Sequence, residues 1–219
     1  MTAVYEQWLA VRSWMLVVYA LIVILFGTVI AIRIQTGIAI AEFTRDPLGF
    51  TGIPVYTGSI SNLGVLIWSA AAAICFFSYG LMRSQVSDDQ RASFMLAGGV
   101  ITTVLVLDDL YMLHEVVFPE NLGIPQNLVY ITYAAAILWF LIAFRATILR
   151  TSFLILLLAL MGFAVSVVSD FIAPMMSIPG MYLFEDGGKF FGIVNWTAYF
   201  VLVAAQFIRS GEHHRSIAD

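Results

Sequence analysis

The sequence predicts an all-α fold: a polytopic integral membrane bundle of six transmembrane helices with both termini cytoplasmic. Three observations predict it. The 219 residues are 61% hydrophobic and only 11% charged, whereas a soluble domain carries about 25% charge. Six apolar runs reach the ~20 residues needed to cross the hydrocarbon, near 13–33, 57–82, 92–118, 126–149, 151–173 and 186–208. Lys and Arg fall unevenly between the loops, seven on one side (Arg12, Arg83, Arg91, Arg145, Arg150, Arg209, Arg215) and three on the other (Arg33, Arg45, Lys189). The richer side is cytoplasmic by the positive-inside rule.

The first run, WMLVVYALIVILFGTVIAI, is too long for a signal h-region, and Arg33 separates it from the small-residue stretch AIAEF; it reads as a retained span. The loop 34–56, with RDPLGFTGIPVYTG, then faces outward. In SDDQ, Ser87 and Gln90 make a capping box that opens the third helix. Pro119 ends that helix, and Pro125 sets the first turn of the fourth. The fourth and fifth helices are joined through RATILRT, which predicts a tight hairpin, and APMMSIPGMY separates the fifth from the sixth. A single domain is expected over 1–212, with a polar cytoplasmic tail, 213–219, that carries His213 and His214 and reads as flexible.

Ionisable residues concentrate at one end of this arrangement. DDLYMLHE lies in the outer half of helix three, Asp170 beside Ser169 at the outer end of helix five, and Glu185, Asp186 and Lys189 at the outer start of helix six. On a straight helix, Asp108, Tyr111, His114 and Glu115 share a face roughly 120° wide, and Asp109 lies off it. Asp108 would sit about 15 Å below the helix end at Pro119. An aspartate at a span's centre costs about 3 kcal/mol on insertion scales, so it must be paired, protonated or facing protein or water. Lys189 follows Glu185 in the favourable Glu-before-Lys order. Gly187, Gly188 and Gly192 permit close helix approach, and packing of helix six on helix three would bring Lys189 to Glu115 or His114.

Carboxylates with one imidazole suit a divalent cation or protons. Asp108, Asp109, His114, Glu115, Asp170 and Glu185 are the candidate donors, with Lys189 and Asp186 as ion-pair partners. Tyr111 and Trp196 read as packing or interfacial residues. His114 is the only histidine within a span, so bis-histidine haem b is not expected; nor is retinal on Lys189, which lies in the first turn of the expected helix. The net charge of −4 offers no basic patch for nucleic acid. The partners expected are the bilayer itself and further copies or subunits of a membrane complex.

LDDLYMLHE followed by EDGGKFFGI resembles a pattern in poorly characterised bacterial multi-pass membrane proteins. In these a Leu-Asp-Asp/Glu stretch leads to His-Glu in one span, and a later span opens with paired acids, then Glu or Lys, then Gly. The matching positions are Leu107, Asp108, Asp109, His114 and Glu115, then Glu185, Asp186, Lys189 and Gly192. The resemblance implies that the two segments act as one unit in a bacterial membrane protein; the charge bias of the loops makes that the cytoplasmic membrane with the site toward the outer side. A weaker similarity links LDDL to the ceramidase-like membrane hydrolases, whose corresponding stretch helps to hold a catalytic zinc. That family also uses an earlier histidine, where this chain has Ala97 or Gly98, and a late H-x-x-x-H pair, which it lacks.

Three functions follow as expectations. The first is a small transporter or channel component that binds a cation or protons. The second is a metal-dependent hydrolase acting on a lipid, and the third a structural subunit whose charges are internal struts. A metal with three protein ligands beside a lipid-sized cavity would favour the enzyme. A polar path past Asp108 would favour transport, and full internal pairing of the acids the strut.

Overall fold

The computed structural model of the chain describes residues 16, 20, 23–24, 26–40, 52–54, 56–83, 89–172 and 181–218. For residues 89, 181–182 and 211–218 it describes the backbone alone. The described residues contain no strand. Contacts divide the chain into two compact units, Met1–Thr57 and Gly58–Asp219.

In the first unit the helix 26–36 (α1) belongs to the first apolar run. Its hydroxyls satisfy themselves on the preceding turn, Thr28 on the Ile24 carbonyl and Thr36 on that of Ile32, both at 2.8 Å. This is how Thr is accommodated in an apolar helix. Gly37, at φ 76°, ends α1 and donates its N–H to the Arg33 carbonyl at 2.9 Å, as a left-handed C-terminal glycine does. Most of the rest of that run, about half of loop 34–56 and Ser87 of the capping box lie outside the described residues.

The second unit holds α2 (Ser59–Met82), α3 (Asp89–Tyr111), α4 (Gln126–Ala143), the short α5 (Arg145–Leu149), α6 (Phe153–Ile172) and α7 (Met181–Ala218). Five of its helices are long and apolar enough to cross a membrane. They coincide with the second to sixth runs, except that the third stops at Tyr111 rather than near 118. Such spans are viable because a helix pairs all its backbone groups internally where lipid offers none. The described helices therefore fit an integral, multi-pass membrane protein.

α7 organises the unit, packing against α6, α2 and α3. Its closest partner is α6, and the reason is glycine. A Cβ on Gly162 would lie 2.7 Å from the Gly192 nitrogen and 2.8 Å from the Gly188 carbonyl oxygen, and one on Gly188 would lie 3.0 Å from the Gly162 oxygen. Two backbones therefore touch, as small residues allow in lipid. Gly188 and Gly192, expected to let another helix approach closely, do so against α6.

Toward the arginine-rich end, Phe94 gathers Phe140, Phe144, Tyr199, Phe200 and Phe207, with ring centroids between 5.1 and 6.4 Å. Trp196, fully buried, donates to Thr102 Oγ1 at 2.9 Å; it is a packing residue. Arg91 donates to Ser210 at 3.1 Å, and Gln206 to the Arg150 carbonyl at 3.3 Å. These bonds tie the start of α3 to the late part of α7 and to the α5–α6 link. The backbone of α7 continues through the tail expected to be flexible, to Ala218.

Candidate functional site

The site is created by a break in a helix. α3 ends at Tyr111, and Met112 adopts φ 49°, ψ 45°, a left-handed conformation costly for a residue with a side chain. The chain then winds as a π-helix, Leu113–Asn121, in which the Val117 N–H reaches the Met112 carbonyl five residues back at 3.2 Å. Pro119 lies inside this stretch and does not end it; the turn closes at Leu122 and Gly123. The straight-helix geometry expected for 108–118 is thereby corrected. Asp108 is three residues from the end of α3, about 4.5 Å along the axis, and Tyr111 is exposed.

The break folds His114 back over Asp108. Asp108 Oδ1 accepts the His114 backbone N–H at 3.0 Å, and Oδ2 lies 2.5 Å from the imidazole Nδ1. On an unbroken helix, residues six apart point in widely different directions. The buried carboxylate caps the amide that the break frees, which offsets part of its strain. Tyr133 from α4 donates its hydroxyl to Asp108 Oδ1 at 2.7 Å. The other imidazole nitrogen, Nε2, lies 3.3 Å from Glu115 Oε1. The Asp108 side chain is 7% exposed and that of Glu115 48%. His114 thus joins a buried carboxylate to one that meets water.

His114 and Glu115 lie beyond the span that ends at Tyr111. Burial works against charge on the imidazole, but its hydrogen bonds and attraction to Asp108 and Glu115 outweigh that, raising its pKa to about 9. Glu115 is held below the usual carboxylate range, first by its bond with His114 and then by the positive charges of His114 and Lys189.

The adjacent Asp109 takes a different partner. Its Oδ1 accepts from Lys189 Nζ of α7 at 2.6 Å, in a pair whose side chains are 8% and 28% exposed. Asp109 Oδ2 is buried and has no hydrogen-bond partner among the described residues. Lys189 was expected to meet Glu185, Glu115 or His114, but it meets the carboxylate placed off the shared face. The Gly162 seam explains this: it turns the glycine face of α7 to α6 and presents Lys189 to α3.

Asp170 accepts from Tyr130 (2.9 Å) and Gln126 (3.1 Å), both on α4. The Tyr130 ring stands 5.0 Å from that of His114, so Asp170 borders the cluster without touching it. Ser169 is buried. α7 starts at Met181, so Glu185 and Asp186 lie past its first turn. Glu185 is half-buried and Asp186 exposed; neither forms an ion pair among the described residues.

The sequence reading overlooked α4. Gln126, Tyr130 and Tyr133 are spaced by four and three, hence on one face, and that spacing was the available signal. Their face adjoins a cavity of about 410 Å³, walled by Trp68, Leu105, Ile137, Leu160 and Phe163 with Asp108 as its charged group. The mouth lies between α4 and α6, where Ala134, Leu138 and Ala164 line it and are exposed.

For a divalent ion the donors fit poorly. Among the described residues no group of three His, Cys, Asp or Glu side chains is placed to hold one. Asp108 and Glu115 occupy opposite nitrogens of His114, so the ring holds them apart.

Residues 14–203 match the family described as Domain of unknown function (DUF8692). The chain belongs to that family. No curated protein and no solved structure matches it. The matched segment contains every residue of the cluster.

Proposed function

We propose that this protein is a small transporter or channel component of the bacterial cytoplasmic membrane that takes up and releases a proton through Asp108, His114 and Glu115. The reading carries six spans, both termini cytoplasmic and the cluster toward the outer side. Its main support is the position of His114, with a buried carboxylate on one nitrogen and a half-exposed one on the other. The imidazolium releases its Nε2 proton to Glu115 and water, and the neutral ring, after exchanging tautomers, takes a proton from Asp108 on Nδ1. Tyr133 extends the chain of hydrogen bonds to the cavity. The orientation is supported by Arg83, Arg91, Arg145, Arg150 and Arg209, which lie at the ends of spans opposite the cluster.

A second reading, a structural subunit with internal struts, is favoured by the Asp109–Lys189 pair and by the bonds of Asp170 to α4. Proteoliposomes enclosing a pH-sensitive dye separate the two. Under an imposed potential, wild type should move protons faster than empty vesicles, and Asp108→Asn and His114→Asn should each reduce the rate about tenfold or more. Wild-type flux at the level of empty vesicles, with Asp108→Asn merely less heat-stable, establishes the strut.

A further inference from the structure

The cavity between α4 and α6 has two unlike ends. Along α4 it reaches from Tyr130 to Leu141, a length of about 16 Å at the rise of a helix. At the end near the cluster, Asp108, Tyr133 and Ser166 supply its polar groups; toward Leu141 and Leu160 its wall is hydrocarbon. Its volume of about 410 Å³ falls within the ~300–1,000 Å³ of small-molecule sites, which join apolar walls to a few placed polar groups. Its mouth, at Ala134, Leu138 and Ala164, opens on the flank of two helices long and apolar enough to cross a membrane. The way in for a ligand is therefore from the hydrocarbon.

The wall chemistry narrows the occupant. Asp108 is the charged residue of the lining, which includes no Lys, Arg or His. A carboxylate or phosphate head would meet a like charge with no counter-ion, and burying an unpaired ion is costly. A cationic head would have to take Asp108 from His114 and Tyr133, which already occupy both its oxygens. The head that fits is neutral. It is also flat: Trp68, Phe163, Tyr130 and Tyr133 all border the space, with the Trp68 and Phe163 centroids 5.5 Å apart, and aromatic faces favour offset stacking with a conjugated ring. Trp68 adds a donor. Its Nε1 is buried and has no hydrogen-bond partner among the described residues, so a ring carbonyl seated against the indole would satisfy it.

We propose that this cavity binds an isoprenoid quinone, with its ring among the aromatic side chains and its prenyl chain leaving through the mouth between α4 and α6. A quinone joins the features the walls ask for: a neutral flat head, carbonyl acceptors and a hydrocarbon tail that arrives through the bilayer. A ring oxygen beside Tyr133 would lie at the inner end of the contacts that run through Asp108 and His114 to Glu115. The assignment rests on the shape and lining of the cavity, and it stands whether or not that chain carries protons.

The test uses the full chain in phosphatidylcholine nanodiscs, titrated with a short-chain ubiquinone and, separately, with a short-chain menaquinone. Quinones quench indole fluorescence on contact, so binding should appear as quenching that saturates, above the linear quenching by quinone dissolved in the bilayer. Farnesol, a prenyl chain without the ring, and palmitate, a tail with a carboxylate, should not displace the quinone at equal concentration. Ala134→Leu and Ala164→Leu, which fill the mouth from exposed positions, should each weaken binding about tenfold. They sit on different helices, so the outcome does not depend on either one folding well. Val168→Leu, exposed on α6 and outside the lining, should bind as wild type does. Absence of saturable quenching by both quinones in wild type overturns the proposal. Wild-type affinity in both alanine variants overturns it too, as does an equal loss in Val168→Leu. Displacement by farnesol or palmitate overturns the quinone assignment in favour of a cavity for hydrocarbon chains.

Discussion

The two faces of α6 differ in how they meet their neighbours. On one, Gly162 lies against Gly188 and Gly192 so closely that two backbones touch. On the other, Leu160 and Ala164 border a cavity of about 410 Å³, across which α4 contributes Tyr130, Tyr133 and Ile137. The difference teaches where this protein is fixed and where it has room. In lipid, helices are held by close van der Waals contact and by polar pairs, because tails are as apolar as leucine. The α6–α7 side uses the first device; the α4 side is joined to its neighbours through hydrogen bonds to Asp108 and Asp170. A tight seam therefore lies on one face of α6 and a roomy, polar-tipped cavity on the other.

Substitution on the tight face should have the largest effect. Gly162→Leu forces the helices apart at backbone level, and unfolding titrations in mixed micelles should show a loss of more than about 4 kcal/mol or no folded protein. If the variant is as stable as wild type, the seam is not what holds α7. Next comes Lys189→Met, which leaves the Asp109 carboxylate buried without its cation. A loss of about 3–5 kcal/mol is expected from breaking one partner of a buried pair, and adding Asp109→Asn should recover much of it in a double-mutant cycle.

The α4 side should reveal itself through pH. The raised pKa of His114 means that its pairing with Asp108 and Glu115 contributes stability fully present below about 6.5, the ordinary imidazole value, and lost as pH rises through about 9. Thermal midpoints should therefore fall between these values in wild type, and the fall should shrink in His114→Asn. An unchanged slope in that variant removes His114 from the account. The smallest effect is expected two residues from the seam glycine. Ala164→Leu projects into the cavity mouth, and its unfolding free energy should match wild type to within about 1 kcal/mol. A loss comparable with that of Gly162→Leu would mean that both faces are equally tight.

Much of this was legible in the sequence. The apolar runs from residue 57 onward became helices, because uninterrupted hydrocarbon of that length has one solution in lipid. Pro125 caps α4, with its fixed φ of −58°. Asp108, His114 and Glu115 do meet, but not for the reason the helical wheel suggested. That construction assumed a straight helix to Pro119, and no residue near Met112 announces a left-handed turn; methionine is an ordinary helix former. The partner of Lys189 was misassigned for a related reason. The glycines of α7 advertise close packing without saying which helix supplies the matching glycine, and Gly162 lies in a run of leucines and alanines that reads as any other span.

What the chain's chemistry determined alone is a set of helices fit to span a membrane, with a charge cluster at the end of the spans away from most of its arginines. Transfer free energy and loop charge act residue by residue, so they can be read residue by residue. Which carboxylate meets which partner was decided only by tertiary structure. The break at Met112 turns His114 onto Asp108, and the Gly162 seam sets the rotation of α7 that gives Lys189 to Asp109. Both depend on how whole helices rotate and bend against each other, and a rotation of one residue's worth, about 100°, exchanges one partner for another.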